Sequence, residues 1–146
     1  LDSLDLKEDE KTWFRSATAA LNYAAVQTRP DLKLPVSMMA KYFNNPKAEH
    51  VQALKYLLRY VAHTIEWRIE FCVRCDDDLR LTAAIDAAFA SCLMTRLSRS
   101  GYVWKLAGAA IIWQSKLQKG RKPAKSTAIS ELSAGVDGVE DGMYRI

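Results

Sequence analysis

The chain has 146 residues, of which 49% are hydrophobic and 26% charged. This composition fits one globular domain or two smaller units and excludes disorder across the whole chain. The net charge of +4 favours a polyanionic partner only mildly. No apolar run reaches the roughly 18 residues of a membrane span, and the acidic N-terminus lacks the apolar segment of a signal peptide. The sequence therefore predicts an intracellular protein, cytoplasmic or nuclear, without a membrane partner.

Three helices are predicted in the first part of the chain. Apolar residues recur at helical spacing over residues 12–27, and Arg29 ends this helix because the residue before a proline avoids the helical region. A second helix is expected over 30–43, with a kink or a delayed start at Pro35. The third is expected over 46–62, where apolar residues again form one stripe.

The hydrophobic period changes after residue 64. Residues 65–71 alternate apolar and polar side chains, which is typical of a half-buried strand. Three consecutive aspartates then predict a hairpin turn at 76–78, and Gly108 predicts another. The four predicted strands cover residues 65–71, 79–90, 100–107 and 109–116.

A last helix is predicted after a cap at Ser126 or Thr127. Its apolar residues step by 3, 4, 3 and 4 positions, so we expect them to form the face that packs against the sheet. These residues are Ile129, Leu132, Val136, Val139 and Met143. Helices followed by strands and a closing helix predict an α+β fold, with a helical segment over 1–64 and a sheet segment over 65–146.

The three cysteines give only a weak signal. Cys72 and Cys75 have CxxC spacing, but no second pair of ligands accompanies them, and a structural zinc site needs four. Reduced thiols are the favoured interpretation, with Cys92 as a third.

Two motifs carry a family resemblance. Residues 14–31 read FRSATAALNYAAVQTRPD, and residues 95–118 read TRLSRSGYVWKLAGAAIIWQSKLQ. The first resembles the stretch after the polymerase active site in copia-type long-terminal-repeat retrotransposon Pol polyproteins. The second resembles the start of the ribonuclease H domain of the same family. The resemblance implies a reverse transcriptase thumb- or connection-like segment over 1–64 and a partial ribonuclease H-like domain over 65–146.

The same resemblance implies two metal ligands. Asp86 matches the first catalytic aspartate, in a D-A-x-W/F-A context, and Glu131 matches the second carboxylate of an S-T-x-E-A-E pattern. Ribonuclease H chemistry uses two divalent cations about 4 Å apart, and hard carboxylate ligands suit Mg²⁺. Glu131 lies about 110° from the centre of the apolar stripe on a helical wheel, where its side chain is expected to reach past the packed face.

Basic residues separate these two carboxylates. Eight Lys and Arg and no Asp or Glu lie between Asp86 and Glu131, an arrangement that favours contact with a phosphate backbone. The predicted contacts to an RNA–DNA hybrid or another nucleic acid are Lys116, Lys119, Arg121, Lys122 and Lys125. The alternative is that 119–125 is a solvated turn, which is the commoner role of such a loop.

The sequence also departs from the family pattern. The Y-x-D-D hairpin of the polymerase and the later aspartates of the ribonuclease H domain do not occur in these 146 residues, and Ile129 replaces the first Glu of E-A-E. We therefore expect an inactive fragment of a degenerate Pol polyprotein, whose intact parent hydrolyses RNA in hybrids and whose partner is the rest of that polyprotein. Whether the chain is an enzyme stays open at this point. The rivals are a non-catalytic nucleic-acid-binding or interaction remnant, and a pseudogene product that folds only marginally.

Overall fold

The computed structural model describes residues 6–73, 79–92, 94–118 and 123–145. Within these ranges the chain forms four α-helices and three strands, which confirms the α+β class. The helices are α1 (Glu8–Gln27), α2 (Lys33–Met39), α3 (Ala48–His63) and α4 (Thr127–Arg145), and the strands are β1 (Leu81–Ala88), β2 (Arg99–Leu106) and β3 (Ala109–Leu117). Two compact units divide the chain, Leu1–Arg68 and Ile69–Ile146.

Proline sets the helix boundaries of the first unit. α1 ends at Gln27, and the N–H groups of Thr28 and Arg29 donate to the Ala24 carbonyl at 3.0 and 2.9 Å. The predicted helix over 30–43 is divided, with α2 between two short 3₁₀ turns. α2 starts at Lys33, so that Pro35 falls in the first turn, where N–H groups need no helical partner. The predicted delayed start is thereby confirmed.

Large apolar side chains form the core of the helical unit. Phe14, Leu32, Val36 and Leu54 are completely buried, and they come from all three helices and the turn before α2. The fully buried Thr18 donates its hydroxyl to the Phe14 carbonyl at 2.8 Å, so its polar atom is satisfied within α1. Helical periodicity predicted this core because the apolar stripes of the three helices meet here.

The predicted strand over 65–71 is wrong. The structure has no strand there, and the side chains of Ile65, Trp67 and Phe71 are 73%, 59% and 60% exposed. The chain instead turns after α3, where the Trp67 N–H donates to the Thr64 carbonyl at 3.1 Å. Alternation alone does not make a strand, because a strand also needs a hydrogen-bonding neighbour and a buried face. The predicted turn at 76–78 lies outside the described residues.

The second unit contains an antiparallel sheet in the order β1-β2-β3. β2 and β3 form a hairpin through Ala107 and Gly108, whose φ angles are +50° and +78°. Two positive φ values match the right-handed twist of the strands, which confirms the turn predicted at Gly108. In the register of β1 and β2, Asp86 lies opposite Gly101.

Helix α4 packs on this sheet with a face that the sequence did not predict. Its apolar stripe is exposed, with Leu132 at 70% and Met143 at 77%, so the expected packing of the stripe on the sheet is wrong. The buried residues of α4 are Ser130, Ala134, Gly138 and Gly142. The sheet itself supplies the bulk at this contact, as the close approach of Trp104 to Gly142 shows. Because these sheet side chains are large, only small residues of α4 fit against them.

The cap of α4 follows the prediction. The Ser126 hydroxyl oxygen accepts a hydrogen bond from the Ile129 N–H at 3.3 Å, as a residue preceding a helix does.

Candidate functional site

Asp86 lies near the middle of β1 and is exposed. Its neighbours Ile85 and Ala87 point to the face that α4 covers, because a Cβ placed on Gly138 of α4 would come within 2.7 Å of the Ile85 Cδ1 atom. Successive side chains of a strand point to opposite faces. Asp86 therefore projects from the face of the sheet that α4 does not cover.

Glu131 is exposed in α4. Further along this helix, Asp137 accepts a hydrogen bond from the Ser100 hydroxyl at 2.8 Å, and Ser100 pairs with Ala87 across the sheet. The helical rise between Glu131 and Asp137 is about 9 Å. Glu131 is thus offset along the helix from the level of Asp86, in addition to lying on the other side of the sheet.

These positions bear on a possible magnesium site. A pair of divalent cations needs several carboxylates that converge on one point. Among the described residues, no three His, Cys, Asp or Glu side chains come together as a metal site, and Asp86 and Glu131 face different sides of the sheet. The described residues by themselves therefore do not fit a two-metal centre, and the role of both carboxylates stays a prediction.

The predicted basic contacts divide into three groups. Lys116 lies 3.2 Å from the Asp137 carboxylate and above the Tyr102 ring, at 5.8 Å from its centroid. Lys125 is exposed and available to a polyanion. The other three predicted contacts, Lys119, Arg121 and Lys122, lie outside the described residues.

Sequence reasoning missed a polar network between α4 and the sheet. Asp141 accepts a hydrogen bond from the Tyr102 hydroxyl, and Asp137 holds Ser100 and Lys116. Burial, together with the bond to Asp141, raises the pKa of Tyr102 far above its usual range. The sequence did contain a sign of this network, since Asp137 and Asp141 are one helical turn apart and lie on the side of α4 that carries the small residues. This network fixes α4 on the sheet.

A pocket lies at the N-terminal end of α4. It has a volume of about 330 Å³ and is lined by residues that include Gln118, Pro123 and Lys125. The Gln118 side-chain amide donates to the Ser130 carbonyl at 2.7 Å, which ties the end of β3 to the helix. The end of the second family motif therefore has a structural role beside this pocket.

The TRPD sequence of the first motif forms a cluster in the helical unit. Arg29 donates two hydrogen bonds to Asp31, at 3.0 and 2.8 Å, and two more to the carbonyl and hydroxyl of Thr64. The Tyr60 hydroxyl also donates to Asp31, at 3.0 Å. Burial alone would raise the pKa of Asp31, but these donors and the guanidinium charge outweigh it and lower that pKa. The cluster joins the turn after α1 to the end of α3.

Comparison with known proteins gives several relatives. The chain is 38% identical over 109 residues to the "Retrovirus-related Pol polyprotein from transposon TNT 1-94" of Nicotiana tabacum, covering 75% of this chain and 8% of that protein. It is 32% identical over 123 residues to a putative transposon Ty5-1 protein of Saccharomyces cerevisiae, covering 84% of this chain and 39% of that protein. It is also 34% identical to the "Secreted RxLR effector protein 161" of Plasmopara viticola, covering 90% of this chain and 89% of that protein.

These relatives place the chain among sequences of mobile genetic elements. More particularly, it belongs to the retrotransposon Pol family, as its two motifs indicated. The chain spans only about 8% of the tobacco Pol polyprotein that it matches. No protein-family model and no solved structure matches it. Among the described residues, no helix is both long and apolar enough to cross a bilayer.

Proposed function

We propose that this chain is a part of a retrotransposon Pol protein. It would comprise the segment after the polymerase active site, followed by the first half of a ribonuclease H-like domain. The observation that carries this proposal is the order of the two motifs, one in each compact unit. Further support comes from the described part of the second unit, in which three antiparallel strands precede one helix. The thumb- or connection-like segment would be 1–64 and the partial nuclease domain 65–146.

The activity of the intact parent would be Mg²⁺-dependent hydrolysis of the RNA strand in an RNA–DNA hybrid. In that parent the motif match makes Asp86 and Glu131 the residues that would hold metal, and this role would require a packing that brings both side chains to one side of the sheet. The 146 residues considered by themselves would not cleave. A two-metal centre requires shared carboxylates, whereas these two face different sides of the sheet.

A cleavage assay tests both statements. The chain is incubated with Mg²⁺ and a labelled RNA–DNA hybrid, beside Asp86→Asn and Glu131→Gln variants. We expect no hydrolysis above the buffer control in any sample. Cleavage that Asp86→Asn abolishes would overturn the inactivity and support the site, whereas cleavage that survives both substitutions would overturn the site.

A non-catalytic nucleic-acid-binding remnant is the second candidate. It is favoured by the eight basic residues and the absence of acids between Asp86 and Glu131. The likeness to nearly the full length of the effector protein supports a unit of this size that exists outside a polyprotein. Salt-dependent binding of a hybrid without Mg²⁺-dependent cleavage is the result expected for this candidate. Lys116→Ala and Lys125→Ala would weaken that binding.

A further inference from the structure

After Glu49 in its first turn, the exposed side of α3 carries cations and an aromatic ring but no acid. Lys55, Arg59 and His63 are four residues apart, Tyr56 lies three residues before Arg59, and all four are exposed, so they lie on one side of the helix. No Asp or Glu occurs between Glu49 and Glu66. The opposite face of the helix carries the buried residues Val51, Leu54 and Leu57. We call the exposed set, Lys55, Tyr56, Arg59 and His63, the α3 basic stripe.

The cations of this stripe are available to a ligand. No described carboxylate pairs with Lys55 or Arg59, whereas Lys11 of the same unit has an acidic partner within 2.8 Å. Lys55 and Arg59 are one helical turn apart, about 6 Å along the axis. Two unpaired cations at this spacing form a short positive track, which is the chemistry that a phosphate backbone requires.

Aromatic rings accompany this track. Tyr56 lies beside the two cations, next to Lys55 in the sequence and three residues before Arg59, and is 73% exposed. Trp67 follows the end of α3 and is 59% exposed, and its ring meets Tyr60 edge-on at 6.0 Å between centroids. Arg29 lies 5.9 Å from the centroid of the same indole. Trp67 is thus held from within the unit while much of its surface faces solvent, which makes it a preformed stacking platform.

We propose that the α3 basic stripe binds single-stranded nucleic acid. Lys55 and Arg59 hold successive phosphates, Tyr56 stacks on a base, and Trp67 gives a second stacking surface where the helix ends. Exposed rings beside cations are the combination by which proteins bind single strands without reading their sequence. This inference deepens the nucleic-acid-binding candidate, but it rests on residues other than the basic ones between Asp86 and Glu131.

Fluorescence anisotropy with two labelled strands tests the proposal, using the full chain. One strand is an oligothymidylate, and the other is a sugar–phosphate strand of the same length without bases. Lys55→Ala with Arg59→Ala is expected to weaken both complexes and to reduce the slope of log K against log salt by about 1.4, since each single-strand phosphate contact contributes about 0.7. Tyr56→Ala is expected to weaken oligothymidylate binding about 5- to 150-fold and to leave the abasic strand unchanged.

Matched controls separate a specific surface from general charge. Lys7→Ala removes an exposed cation before α1, and Tyr144→Ala removes a ring that is 90% exposed at the end of α4. Both variants are expected to bind like wild type. All the substituted side chains are exposed, so circular dichroism melts should coincide and exclude unfolding as the cause of a loss.

The outcomes distinguish this inference from the function proposed above. Wild-type affinity in both stripe variants would overturn the inference and show that α3 has only a solvated face. If Lys116→Ala and Lys125→Ala alone weakened binding, the nucleic-acid-binding candidate would stand without the stripe. Absence of any wild-type binding at low salt would overturn both, while the family assignment would be unaffected.

Discussion

The two units of this chain are stabilised in different ways. The helical unit buries large apolar side chains such as Phe14 and Leu54, and its buried cation Arg29 is satisfied by four hydrogen bonds. The sheet unit joins α4 to the sheet through glycines and aspartates, while the large apolar residues of α4 remain exposed. Substitutions of equal size should therefore have unequal effects in the two units.

The largest effect is expected in the helical core. Phe14→Ala should lower the free energy of unfolding by about 3–5 kcal/mol, because it removes a fully buried ring and leaves a cavity. Denaturant unfolding followed by far-ultraviolet circular dichroism measures this loss. A loss below about 1 kcal/mol would mean that the helical core is not packed as described.

Arg29→Lys should lower the free energy of unfolding by about 2 kcal/mol. Lysine keeps the charge but cannot reproduce the planar fork that binds Asp31 and Thr64 together. The same denaturation experiment measures the effect, with Arg59→Lys as an exposed arginine of the same unit for comparison. Equal stability of the two variants would show that the charge of Arg29, and not the fork geometry of its hydrogen bonds, stabilises the TRPD cluster.

Gly142→Ala should destabilise the sheet unit by about 1–3 kcal/mol. An added Cβ would lie within 2.5 Å of the Trp104 ring. Gly135 is the matched control, because no atom lies within 4 Å of a Cβ placed there. Gly135→Ala should stabilise the helix by up to about 1 kcal/mol. Opposite signs for the two substitutions would confirm which face of α4 meets the sheet, and equal signs would contradict it.

A smaller effect depends on pH. The pKa of Asp31 is lowered in the folded state from an ordinary value of 3.8, so its stabilising contribution is complete above that value and is lost as pH falls through the lowered pKa. Asp31→Asn should lower the free energy of unfolding by about 1 kcal/mol at neutral pH. This loss is smaller than at a fully buried ion pair because Asp31 is partly exposed. Thermal melts from pH 6 to pH 2 should show the two proteins converging in acid. A difference that stayed constant over this range would exclude the ionised pair as its source.

The smallest effect is expected on the exposed side of α4. Leu132→Ala should change the free energy of unfolding by no more than about 0.5 kcal/mol, since the side chain is 70% exposed. Leu132 and Phe14 are both large apolar residues in helical stripes, so the effects of Leu132→Ala and Phe14→Ala can be compared directly. A loss of several kcal/mol at Leu132 would show that the stripe is buried in solution.

This last pair shows how far the sequence could predict the structure. Local chemistry determined the helix end before Pro30, the cap at Ser126 and the turn at Gly108, because each depends on a few neighbouring atoms. Periodicity identified α4 as a helix but selected the wrong packing face. A stripe records which residues are apolar, whereas the buried face depends on the shape of the partner, here the side chains of Trp104 and Ile85.

In the candidate site, too, the local sequence determines some features and tertiary packing determines others. The family motifs identified Asp86 and Glu131 by their neighbours in the sequence, and the structure contains them in a strand and a helix. Whether the two carboxylates can share a metal depends on which face each element presents. That arrangement is set by tertiary packing, through Gly138 against Ile85 and Asp137 against Ser100, and no motif specifies it.

The separation of the two carboxylates is tested by a titration with Mn²⁺, a paramagnetic substitute for Mg²⁺, in which line broadening is followed in the amide NMR spectrum of the full chain. We expect that the amides of Asp86 and Glu131 do not broaden together at low metal concentration, since their side chains face different sides of the sheet. Saturable broadening of both amides that is lost in Asp86→Asn and equally lost in Glu131→Gln would show that both carboxylates hold the same metal and would contradict this arrangement.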